Sequence, residues 1–78
     1  MALIREFFYQ GTDRNRIHDE ADCGFRSFVT NSGTIVQLDT YGSDHRKLAG
    51  KISQSIQLDE GHARELVSIL RRAFPAIK

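Results

Sequence analysis

The sequence predicts an α+β domain: a four-stranded antiparallel β-meander followed by one C-terminal amphipathic helix, with the helix joining two copies. Three observations predict it. Residues 35–41 and 51–58 alternate with a period of two, the pattern of strands with one packed face and one open face. Asn31-Ser32-Gly33 separates two strand-like runs with residues that tolerate positive φ. After Asp59 the apolar period changes to that of a helix and runs until Pro75.

Each element follows in order. Leu3 to Tyr9 is rich in apolar and aromatic residues and reads as the first strand, broken by Gly11-Thr12-Asp13. Residues 11–23 read as a mostly solvated loop whose one large apolar residue is Ile17. Phe25 to Thr30 is the second strand. Ile35 to Tyr41 is the third, with Val36, Leu38 and Thr40 on one face and Ile35, Gln37, Asp39 and Tyr41 on the other. Gly42-Ser43-Asp44 opens a polar connection. The fourth strand, Lys51 to Leu58, places Ile52, Ile56 and Leu58 inward and Lys51, Ser53, Ser55 and Gln57 outward. Gln54 interrupts the inward face, where a bulge is expected.

The helix is expected over about Glu60 to Phe74. Asp59 is a good N-cap, Glu60 favours the positive helix end, and Pro75 closes it. His62 occupies the position where a capping box would carry Glu or Gln, so the box is absent. Ala63, Leu66, Val67, Leu70 and Phe74 form one stripe, which Ile69 and Ala73 widen. One small sheet does not need so wide a face. The surplus predicts a homodimer whose interface uses Leu66, Ile69, Leu70 and Ala73; the competing reading folds the first strand and the long loop over the same face.

A chain of 78 residues is one domain, 1–78, and domains this short are marginal without a staple or a partner. Cys23 is the single cysteine, so no internal disulfide forms, and a lone thiol suits a reducing, intracellular, cytoplasmic compartment. No apolar run approaches a membrane span, and Met1 to Glu6 does not read as a signal peptide. Hydrophobic residues at 40% and charged residues at 27% indicate a globular chain rather than a disordered one. The net charge is only +1, but it is unevenly placed: Arg46, Lys47 and Lys51 stand against Asp44 alone in residues 41–51.

Catalytic readings fare poorly. His18, Asp19, Glu20, Asp22 and Cys23 cluster in sequence without a recognised ligand spacing, as a polar surface loop would. Ala49-Gly50-Lys51 lacks the rest of a phosphate loop, and Asp39 with Lys51 lacks the second carboxylate of a nuclease. No enzyme, metal or cofactor is expected. Binding of single strands needs rings for bases to stack on and cations or amide and hydroxyl donors along the phosphates. Tyr41, Gln37, Lys51, Ser53 and Ser55 on strands three and four, Arg46 and Lys47 between them, and Arg26 on strand two supply that set.

From Gly33 to Phe74 the chain carries Val36-Gln37-Leu38-Asp39-Thr40-Tyr41, Ser43-Asp44-His45-Arg46-Lys47-Leu48, Gly50-Lys51 and Ile56-Gln57-Leu58-Asp59-Glu60 before its terminal helix. This resembles the single-stranded-DNA-binding transcriptional coactivator family known as positive cofactor four, particularly its small bacterial members. The resemblance covers about half of the chain firmly and implies a curved ββββα subunit dimerised through its helices, with sheet grooves for single-stranded DNA. It implies base stacking on Tyr41, phosphate contacts from Lys51 and the Arg46-Lys47 loop, and a looser part for Arg26. Two departures stand out: Asp39 occupies a position where family members usually carry arginine, and residues 51–55 lengthen the interval after the glycine-lysine pair. The expected function is a non-enzymatic homodimer binding single-stranded DNA or RNA in transcription or DNA transactions. The alternative is a regulatory or inhibitor module of the same fold, docking on a larger protein machine.

Overall fold

Strand β3 (Gly33–Tyr41) is an inner strand of the sheet, with a long antiparallel partner on each side. The computed structural model describes residues 1–11, 15–42 and 51–78. On one side β3 pairs antiparallel with β2 (Asp22–Thr30), from Thr30↔Gly33 to Asp22↔Tyr41. The hairpin between them turns at Asn31-Ser32, where Gly33 takes a φ of 121° that a Cβ would oppose. The Thr30 hydroxyl closes the turn, donating to the Gly33 carbonyl at 2.8 Å and accepting from the Ser32 N–H at 3.1 Å. On its other side β3 pairs antiparallel with β4 (Ile52–Leu58).

The N-terminal strand departs from the expected meander. Only Ala2–Leu3 forms β1, and it pairs parallel with β4 at Ala2↔Ile56 and Leu3↔Gln57. The order is β1-β4-β3-β2, so the sheet is mixed rather than wholly antiparallel, and Leu3 to Tyr9 is not one strand. The physical reason lies in the helix. After the Ile4 N–H donates to the Gln57 carbonyl at 2.9 Å, the chain leaves the sheet and runs beside α1 (Glu60–Ala73). There Phe7 to Gly11 line one wall of an open cleft of about 870 Å³, with Leu66, Ile69 and Ala73 on the other. The apolar residues of this arm answer the helix stripe, which is why they lack the period-two alternation of β3 and β4.

The expected irregularity in β4 is present. Thr40 lies opposite Gln54 but Tyr41 lies opposite Ile52, so Ser53 is the extra residue of a bulge. Its consequence is a correction to one face: Ile52 shares a face with Tyr41, and parts from Ile56 and Leu58. The helix starts as expected, with the Asp59 carboxylate accepting the His62 backbone N–H at 2.9 Å. It ends one residue early, because the Phe74 backbone leaves helical geometry ahead of Pro75 while its N–H still reaches the Leu70 carbonyl at 2.8 Å.

Little of this chain is covered by its own fold. Among the described residues Leu58 is the one buried apolar side chain, at 4% exposure, and α1 has no buried residue. The accessible surface is 7225 Å², whereas a compact monomer of this mass presents about 4,800 Å². The radius of gyration, 14.5 Å, likewise exceeds the roughly 11.5 Å of a compact chain of this length. Phe25 and Val29 on β2 are 84% and 81% exposed, and Val67, Leu70 and Phe74 leave a second apolar stripe on the helix uncovered.

Candidate nucleic-acid interface

Residues opposite one another on paired strands share a face, so the register builds the candidate site in three rows. Arg26, Gln37 and Gln57 form the first across β2, β3 and β4. Gly24, Asp39 and Ser55 form the second, and Asp22, Tyr41 and Ile52 the third. The face is polar at its centre and aromatic at one end. Thr40, Leu38 and Val36 line the opposite face with Gln54, Ile56 and Leu58.

The centre is organised around Asp39. Gln57 Nε2 donates to Gln37 Oε1 at 2.8 Å, and Gln37 Nε2 donates to Asp39 Oδ1 at 2.9 Å. The Ser55 hydroxyl donates to the same carboxylate oxygen from the neighbouring strand. Gln37, Asp39 and Ser55 are all buried, and every donor in the chain runs toward the carboxylate. The Ser55 and Gln37 hydrogen bonds, helped by the Arg26 charge, hold the Asp39 carboxyl below its usual range against the opposing effect of desolvation. The Asp39 carboxylate is therefore tied into the sheet in its ionised form, and its negative charge remains on this face.

The Tyr41 ring lies over Gly24. A Cβ built on that glycine would sit 3.5 Å from Tyr41 Cε1, an ordinary contact distance, so the ring packs directly against the strand at this position. Tyr41 is half-buried and Arg26 exposed, a ring and a cation on one face. Ser53 is exposed at the bulge, and Lys51 is exposed just before β4 begins, so the simple alternation that grouped them with Ser55 stops at the irregularity. Arg46 and Lys47 lie outside the described residues. Of the expected interface residues on the helix, Leu66, Ile69 and Ala73 face the N-terminal arm across the cleft, while Leu70 stands in the uncovered stripe with Val67 and Phe74.

Sequence reasoning missed two features. The Gln37–Asp39–Ser55–Gln57 network was legible only as polar residues two apart on facing strands; the register converts them into one hydrogen-bonded chain. The second is His62. Its Nδ1 meets Asp59 Oδ1 at 2.7 Å and its Nε2 meets the Arg5 carbonyl at 2.7 Å, with Phe7 beside the ring at a centroid distance of 6.3 Å. Glu65 Oε1 stands 3.9 Å from Nε2. Both principal partners are acceptors, so both bonds are made together only when the imidazole carries two protons. The hydrogen bond to Asp59 is the main cause raising the His62 pKa above 6.5, and the Arg5 carbonyl adds to it.

That arrangement fixes a pH dependence. The stability His62 contributes is fully present below its unfolded value of 6.5 and is lost as pH rises through the raised folded value. Asp59 acts in the opposite sense: its carboxyl is lowered from 3.8 by the two bonds from His62, so its contribution is lost as acid protonates it. Thermal melts from about pH 5 to about pH 9 should show stability declining on the alkaline side of the histidine range. His62→Ala should flatten that decline; a wild-type midpoint independent of pH across it would refute the doubly bonded imidazolium.

None of the family models, curated proteins or solved structures compared with the chain matches it.

Proposed function

We propose that the chain binds single-stranded nucleic acid, DNA or RNA, on the Arg26–Gln37–Tyr41 face of its sheet, as a homodimer and without catalysis. The observation that carries this reading is the coincidence of an exposed cation, a seated aromatic ring and an ordered row of amides on one face of paired strands. Rings offer bases a stacking surface, and arginine and amide groups follow sugar and phosphate. The resemblance of Gly33 to Phe74 to the positive cofactor four family supports the same reading. The excess surface favours an assembled form.

The direct test is fluorescence polarisation with labelled single-stranded and duplex oligonucleotides of equal length at low and near-physiological salt. Binding should prefer the single strand and weaken as salt rises, because cations on the protein displace counterions from the phosphates. Asp39→Asn keeps a side-chain oxygen for Ser55 and Gln37 while removing the charge, so it should tighten binding several-fold. An absence of binding at low salt would discard the function while leaving the fold untouched. It would favour the second reading, a protein-docking module, which the near-neutral net charge supports.

A further inference from the structure

The outer edge of β2 is an unusual surface for a chain of this size. Nine residues long, β2 is the last strand of the sheet, and among the described residues nothing pairs with its outer side. Natural edges are blunted by proline, lysine, bulges or brevity. From Cys23 to Val29 there is no proline or lysine and one charge, Arg26; the register with β3 is unbroken. The two most exposed large apolar residues of the sheet, Phe25 and Val29, lie on this strand.

We propose that β2 pairs antiparallel with β2 of a second copy, joining two sheets into one continuous eight-stranded sheet, with the two-fold axis at Ser27. The register follows from the hairpin. Across a two-residue turn, Thr30 and Gly33 are a hydrogen-bonded pair, and so are Phe28–Ile35, Arg26–Gln37 and Gly24–Asp39. The backbone groups of Cys23, Phe25, Ser27 and Val29 therefore point to the free edge. An axis at Ser27 sets these outward groups against their counterparts, with Phe25 directly opposite the partner's Val29, and the partner's Phe25 opposite Val29. An aromatic facing a β-branched residue is a favourable cross-strand pair. On the other face Arg26 meets the partner's Phe28, a cation beside a ring. An axis one residue earlier would instead oppose the two Arg26 side chains.

The choice of a second copy rests on this self-complementarity and on surface. The chain exposes about 2,400 Å² more than a compact monomer of its mass, so it has surface to spare for a partner to cover. Pairing at β2 does not depend on nucleic-acid binding. It would nonetheless place the Arg26, Tyr41 and Gln37 rows of both copies on one uninterrupted face, so a bound strand could pass from one subunit to the other across the seam.

Sedimentation equilibrium of the full chain tests it. Wild type should have twice the chain mass. Phe25→Lys combined with Val29→Lys opposes like charges across the seam and should give monomer, whereas Phe25→Lys with Val29→Glu opposes unlike charges and should restore the dimer. Far-ultraviolet circular dichroism confirms that each variant is folded. Independently, Ser27→Cys in a Cys23→Ser background should form a disulfide-linked dimer under mild oxidation, because directly opposed residues of such a pair lie about 5.5 Å apart at Cα. The proposal is overturned if wild type is monomeric, if the double-lysine variant stays dimeric, or if the charge-complementary variant fails to dimerise. It is equally overturned if dimerisation survives every β2 change but is lost in Leu70→Glu, which would place the interface on the helix.

Discussion

Leu58→Ala is expected to lower stability by about 2–5 kcal/mol, the range for truncating a buried leucine. The side chain is the single buried apolar group among the described residues, at 4% exposure. It sits opposite Val36 at the end of β4, one residue before the Asp59 cap, where sheet and helix meet. Small domains have a total stability of only about 5–15 kcal/mol, so the loss would remove a large fraction of it. Urea unfolding followed by circular dichroism would show a lower midpoint with an unchanged slope. Val29→Ala is the informative comparison. At 81% exposure it should cost no more than about 0.5 kcal/mol in an isolated chain. A larger cost that grows with protein concentration would mean that an assembled form buries Val29.

Tyr41→Ala should weaken single-strand binding by about 1–3 kcal/mol, the worth of one base–aromatic stack. Tyr41→Phe should retain most of the affinity, because in the proposed mode the ring face rather than the hydroxyl would meet a base. The ring packs over the Gly24 position, and Arg26 stands two rows further along the same face. Parallel titrations of wild type and both variants, with melts to confirm equal folding, would settle the role. Undiminished binding by Tyr41→Ala would move the site off this face.

Much of the architecture could be read directly because period-two and period-3.6 patterns are local. Val36, Leu38 and Thr40 alternate with Gln37, Asp39 and Tyr41 as the register of β3 requires, and Asp59 caps the helix as its chemistry suggests. Gln54 flagged the bulge, since a polar residue on a packed face signals a break in the alternation. What could not be read depends on distant partners. Residues 4–11 carry the apolar content of a strand, but the surface they answer is some sixty residues away, on Leu66 and Ile69. The same arm accounts for part of the helix's apolar width. Asp39 resisted reading for a related reason: its donors arrive from Ser55 on another strand and from Gln37 two residues back, and only pairing reveals that the charge is satisfied.

The parallel pairing of β1 with β4 also orders the events of folding. The β2–β3 hairpin joins residues separated by a two-residue turn, whereas Ala2↔Ile56 joins opposite ends of the chain. Contacts at long sequence separation require prior loop closure, and only two residues of β1 are available to repay it. The hairpin is thus expected to condense early, with β4 adding to it. The N-terminal strand is expected to arrive last, and the cleft beside α1 would take shape only in that final step.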